Sequence, residues 1–212
     1  MTFSINRLHS ITLIILILGL SACASVGKKV EHHALKTDIS GLELDKSAEP
    51  TVLYRRKNAP DLATYSSFII DPVTIDYQDP GMEKINPEDL ARMQNYFQER
   101  VSNNLKEAGH TITDQPGAGT MRISFILSGI KAPSATANVV GVLLPITISV
   151  GEVTVETAFR ESKSNRVDAV AIGRAQGSRI LNPKPWSTWA DVESAFDQWA
   201  EGITKAVNKS DR

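Results

Sequence analysis

The sequence predicts an α+β fold: a mostly antiparallel sheet with two amphipathic helices packed on one face. Two segments, one after Asn86 and one near the C-terminus, repeat apolar residues at helical spacing. Several segments between Thr51 and Ala175 alternate apolar and polar residues with a period of two. Those segments follow one another through short turns, which favours antiparallel neighbours.

Thr51–Arg56 is a short strand candidate followed by a Pro60-Asp61 turn. Ser67–Ile75 is β-rich and apolar on both faces, as a central strand would be, and Pro72 interrupts its middle. Asn86-Pro87-Glu88-Asp89 reads as a helix start, with Asn as cap, Pro in the first position and acids in the first turn. Leu90, Met93, Phe97, Val101 and Leu105 then form one apolar stripe, and Gly109 ends the helix. His110–Thr113 is a short strand, and Gln115–Gly119 a turn. Met121, Ile123, Phe125 and Leu127 alternate with Arg122, Ser124 and Ser128. Val153, Val155, Thr157 and Phe159 alternate in the same way with Glu152, Thr154, Glu156 and Arg160. A turn over Glu161–Asn165 joins that strand to Arg166–Ala175 as a hairpin. The last helix begins near Thr188 or Asp191 and places Val192, Ala195, Phe196, Trp199, Ile203, Ala206 and Val207 on one face.

The N-terminal segment is an address. Arg7 precedes Ile11–Leu20, an apolar run of ten residues. At ~1.5 Å of rise per residue such a run is too short to cross a bilayer core, and it suits the hydrophobic region of a signal peptide. Leu20-Ser21-Ala22-Cys23 resembles the lipobox of bacterial lipoproteins. Small side chains at Ser21 and Ala22 admit an extended backbone to a peptidase, and Cys23 supplies the sulfur for a diacylglyceryl thioether. Cleavage between Ala22 and Cys23 would leave an acylated N-terminus, and two or more acyl chains anchor stably without spanning. Residue 24 is Ala rather than the Asp that accompanies inner-membrane retention, which by that resemblance implies the outer membrane with the domain in the periplasm. Residues 1–22 are thus a removed signal peptide, residues 23–50 an acylated cysteine and flexible tether, and residues 51–212 a single domain.

Composition narrows the chemistry. The 212 residues carry a net charge of −1, which argues against a nucleic-acid partner, and the lone cysteine forbids both an internal disulfide and a cysteine metal cage. After Thr51 one histidine remains, His110, placed beside Gly109 where an imidazole commonly caps carbonyls. His32 and His33 are adjacent and cannot share a helical face as a zinc pair does. Gly117-Ala118-Gly119-Thr120 fits no phosphate-binding fingerprint. Asp71 and Asp76 flank Pro72, and Glu152 and Glu156 share a strand face; such pairs serve acid–base chemistry only when their environments drive their pKa values apart. No catalytic residue, metal site or cofactor is assigned. Ala132–Gly151 is a stretch of twenty uncharged residues, read as core strand plus loop, as a partner-docking hairpin or as a membrane-touching loop. Val142, Leu143, Leu144 and Trp186 are the candidate partner contacts.

Several segments together resemble a bacterial lipoprotein family, domain of unknown function 3313. They are Tyr54-Arg55, Asp61-Leu62-Ala63-Thr64-Tyr65, Ile70-Asp71-Pro72-Val73, Asp114-Gln115-Pro116-Gly117, Val150-Gly151-Glu152, Trp189-Ala190-Asp191-Val192 and Ala195-Phe196-Asp197-Gln198-Trp199-Ala200. The resemblance implies a Gram-negative envelope lipoprotein with a compact α+β domain, and it transfers no catalytic residue. The segment Ala132–Gly151 is shorter than is common in that family. The expected function is an outer-membrane-anchored, non-enzymatic binding or accessory module for an envelope protein partner. The alternative is an envelope hydrolase or hydrophobic-ligand carrier using a cleft at the sheet end. Cys23→Ser should abolish labelling by radioactive palmitate and leave an uncleaved precursor on a gel; normal processing of that variant would exclude the lipobox.

Overall fold

A computed structural model describes residues 35–48, 51–78, 82–131, 152–176 and 189–208. The strands are β1 (Glu43–Leu44), β2 (Val52–Arg55), β3 (Ser67–Ile70), β4 (Thr74–Ile75), β5 (Thr111–Ile112), β6 (Thr120–Lys131), β7 (Glu152–Glu161) and β8 (Val167–Gln176). The helices are α1 (Pro87–Glu107) and α2 (Ala190–Val207), with single 3-10 turns at Lys46–Ala48, Leu62–Thr64 and Met82–Lys84. All eight strands form one open sheet in the order β1-β2-β8-β7-β6-β3-β5, with β4 also pairing with β6. The fold is α+β, as the alternation and the two stripes predict.

Long strands β6, β7 and β8 form an antiparallel meander, extended by β2 and β1. The sheet is mostly antiparallel, as expected, but its other end is not, because β3, β4 and β5 pair in parallel. The reason is the long helix between them. Parallel neighbours require a crossover, and α1 provides it between the β3–β4 strand and β5.

Pro72 interrupts the edge as predicted. Ile70 faces Ile123 and Thr74 faces Ile126, so the interrupted strand carries one more residue than its partner over that interval. The backbone freed there is satisfied by α1: the Gln94 side chain donates to the Val73 carbonyl at 2.6 Å, and Gln98 accepts from the Val73 N–H at 3.3 Å. Asn86 caps α1 by accepting from the Glu88 N–H at 2.9 Å. Gly109 follows the helix with φ of 89°, a left-handed conformation natural to glycine.

All five predicted stripe residues of α1 are buried, facing Met121, Ile123, Phe125 and Leu127 of β6 in one core. Phe97 is its centre. Its ring lies 5.0 Å from that of Phe125, 4.8 Å from that of Phe196 in a stacked arrangement, and 6.3 Å from the Trp199 indole. The helices are also tied at the rim, where Asp197 accepts from the Tyr96 hydroxyl at 2.8 Å and from Arg100 at 2.7 Å.

Three local readings change. Helix α2 begins at Ala190 with Trp189 in the cap position and no side-chain cap bond, between the two caps expected, and Ala206 is exposed rather than core. Strand β7 is buried on both faces, since Thr154, Glu156 and Ala158 are covered as well as Val153, Val155 and Phe159. Residues 35–48, which the sequence assigns to a tether, lie on the domain. β1 pairs with β2, Thr37 is buried, and the Glu156 carboxylate accepts the N–H groups of Lys36 at 3.0 Å and Thr37 at 2.8 Å. That buried carboxylate is a partner that a reading of residues 23–50 alone does not reveal.

Phe97→Ala should cost about 3–5 kcal/mol in urea unfolding, with an unchanged dependence on denaturant, because removing a fully buried ring that packs against three other rings leaves a cavity. A loss under about 1 kcal/mol would show that the aromatic cluster is not the core's centre.

Candidate functional site

The helix-facing side of β8 is a column of small residues. The register places Ala169 opposite Phe159, Ala171 opposite Thr157, Gly173 opposite Val155 and Ala175 opposite Val153. Helix α2 crosses this column through Trp199. A β-carbon on Gly173 would lie 2.7 Å from the indole Nε1 and 2.8 Å from its Cε2, so only glycine admits the ring at this height.

Beside that contact the short side chains leave an open apolar groove of about 300 Å³. Val155, Thr157 and Phe159 of β7, Ala171 and Gly173 of β8, and Leu53 of β2 form its floor. Trp199, Gly202, Ile203 and Ala206, spaced along one side of α2, form one wall with Gln198 at its end. Ala48, Thr51 and Leu62 close the other side. Among the described residues no charged side chain lines it, and its size and lining match the small end of ligand pockets.

The carboxylates singled out from the sequence do not meet in a cleft. Asp71 pairs with Arg122 at 2.5 Å and accepts from the Ser124 hydroxyl at 2.8 Å. Asp76 pairs with Lys36 at 3.0 Å. Glu152 pairs with Lys131 at 2.7 Å, and Glu156 holds the backbone of residues 36 and 37. His110 sits with its ring centre 5.0 Å from that of Phe68, edge to face, and its Nε2 lies 2.7 Å from the Asn208 side-chain oxygen. That environment ties the end of α2 to the parallel edge of the sheet. Among the described residues no cluster of three or more His, Cys, Asp or Glu could hold a metal ion.

One buried ionic cluster escapes the sequence reading. Asp168, 1% exposed, is held by Arg166 through contacts of 2.7 and 3.2 Å, with the Arg56 Nε at 3.9 Å. Its hydrogen bonds to Arg166 push that guanidinium's pKa further up. Burial pushes the Tyr65 phenol up as well, helped by the negative charges of Asp168 and Glu161. At the adjoining hairpin turn, hydrogen bonds from Ser164 hold the Glu161 carboxyl below its ordinary value. The Asp168 cluster joins β8 to the end of β2, and Arg166 and Arg56 neutralise Asp168 outside the groove lining.

The helical stripe assigns Phe196 and Trp199 to core packing. Phe196 is fully buried, whereas Trp199 is half-buried and lines the groove. Cys23, the cleavage site at Ala22, and Val142, Leu143, Leu144 and Trp186 lie outside the described residues. So do His32 and His33. The groove's own sequence signal is the run Ala169, Ala171, Gly173, Ala175 together with Gly202 inside a helical stripe.

Comparison with known proteins agrees with the resemblance carried by those segments. The model of a family described as a protein of unknown function, DUF3313, matches residues 32–203. The chain belongs to this family. No curated protein matches it by sequence. Among solved structures, the chain is similar to the PelC dodecamer from Paraburkholderia phytofirmans at 10% identity and a TM-score of 0.46, over 74% of this chain and 98% of that one. It is similar to a DUF330 protein from Xanthomonas campestris at 10% identity and a TM-score of 0.43, over 68% and 86%. It is also similar to a minor lipoprotein from Acinetobacter baumannii at 8% identity and a TM-score of 0.35, over 68% and 92%. Among the described residues no helix of this DUF3313 chain is long and apolar enough to cross a membrane.

Two glycines bracket the groove and should respond oppositely. Gly173→Ala should lower stability by about 1–3 kcal/mol, because its methyl group meets a ring and the Val155 side chain. Gly202→Ala should gain up to about 1 kcal/mol, because its β-carbon meets nothing within 4 Å and alanine favours the helix. Thermal melts of both variants check the pair; equal responses would contradict the packing.

Proposed function

We propose that this DUF3313 protein is a lipoprotein anchored through acyl chains on Cys23 to the outer membrane of a Gram-negative envelope, with its domain in the periplasm. There the domain binds a ligand and does not transform it. The signal peptide, the lipobox and Ala24 support the address. The observation that carries the binding role is the uncharged groove between α2 and the small-residue column of β8.

The alternative hydrolase reading needs acids in a shared cleft. Asp71, Glu152 and Glu156 instead each engage a different partner. The groove favours the carrier half of that alternative and joins it to the binding-module reading, with an apolar ligand as partner. An anchored domain meets its ligand at high effective concentration, so weak binding suffices.

Residues 24–212, purified without the lipid, should enhance the fluorescence of N-phenylnaphthylamine in a saturable way. Gly202→Leu, which fills the groove from an open position on α2, should weaken that binding about tenfold or more, equivalent to ~1.4 kcal/mol. Unaltered dye binding by a folded Gly202→Leu protein would remove the groove as the binding site.

A further inference from the structure

We infer that the groove takes one unbranched hydrocarbon tail of a bilayer phospholipid, an inference that rests on the binding role proposed above. Charge and hydrogen-bonding capacity select this occupant. Besides the Trp199 indole, the polar side chains of the lining are Thr51, Thr157 and Gln198, and none is charged. An ionised ligand would lose its hydration there without a compensating partner.

A peptide segment fails for a related reason. Each of its residues brings an N–H and a carbonyl that need partners once buried. Among the described residues the strand backbone under the groove is already engaged: β8 is paired by β2 and β7, β1 pairs with β2 at Tyr54 and Arg55, the Leu53 carbonyl accepts from the Asp45 N–H, and the Thr51 N–H donates to the Ala48 carbonyl. A hydrocarbon tail brings no such group, and each buried methylene adds to its affinity. The dimensions agree. A groove of about 300 Å³ admits one tail, whereas a helix with its side chains is roughly 10–12 Å across.

The source of the tail follows from where the described chain begins. Leu35 stands twelve residues after Cys23, a stretch that spans at most about 43 Å when fully extended. With Cys23 acylated, the domain cannot leave the neighbourhood of the bilayer. From Leu35 the chain runs through β1 to Ala48, so one side of the groove is built by the described segment nearest the anchor in sequence, and β7, β8 and α2 supply the rest.

The test uses the full-length, lipidated protein in phosphatidylethanolamine vesicles doped with a phosphatidylcholine that carries a diazirine in one tail. After irradiation, digestion and mass spectrometry should find the adduct on the segments 169–175 or 198–206. Labelling of those segments should fall at least tenfold in Gly202→Leu and survive in Gly202→Ala. A β-carbon at Gly202 meets nothing within 4 Å, so a side chain there has room at its base, and Ala206→Phe is a second filling variant from an exposed position. Equal labelling in the filled variants, or labelling confined to other segments, overturns the inference. Absence of any lipid adduct from a protein that still binds the dye also overturns it. In that case the groove binds apolar ligands of another kind, the chain's own anchor among them, and the proposed binding role stands. Loss of dye binding and lipid labelling in the unmodified protein would end both.

Discussion

Trp199 rests on the sheet at the place where any residue other than glycine at position 173 would carry its β-carbon. That single approach sets the height of α2 above β8, and most of the molecule's organisation depends on it. From this position α2 brings Phe196 onto Phe97, and Phe97 in turn packs α1 edge to face against Phe125 of β6. The same contact props the helix beside a column of alanines too short to fill the space beneath it. The groove is thus a consequence of one large side chain standing among small ones. A larger residue at 171 or 202 would fill the space, and the glycine at 173 keeps the helix from lifting away.

The opposite side of the sheet uses polar chemistry instead. Buried Glu156 receives two backbone N–H groups from residues 36 and 37, and Lys36 reaches Asp76 across the surface. A buried carboxylate with two donors is well satisfied, whereas removal of the donors would leave it uncompensated. The N-terminal segment is therefore part of the fold from Leu35 onward.

Much of this was legible from residues alone. The α1 stripe was clear because Leu90, Met93, Phe97, Val101 and Leu105 keep helical spacing and flank no break. Pro72 announced its own interruption. The parallel pairing of β3 and β5 was not legible, since the two-residue β5 carries no pattern and its direction is imposed by the α1 crossover. Glu156 and Thr154 read as the wet side of β7 because alternation assigns polar residues to solvent, and what covers Glu156 lies more than a hundred positions away. The groove was the least legible feature. Its lining comes from residues 48–62, 155–159, 171–173 and 198–206, and a void is defined by what four distant segments leave unfilled.

The central claim is that the space beside Trp199 is a binding site and not a packing defect. Fluorine NMR of the protein labelled with 5-fluorotryptophan, titrated with dodecanoate, addresses it most directly. Trp189 is buried at the start of α2 and outside the groove lining, so it serves as an internal control. The account predicts a saturable shift of the Trp199 resonance with the Trp189 resonance unmoved. Equal shifts of both, or none at Trp199, would contradict it.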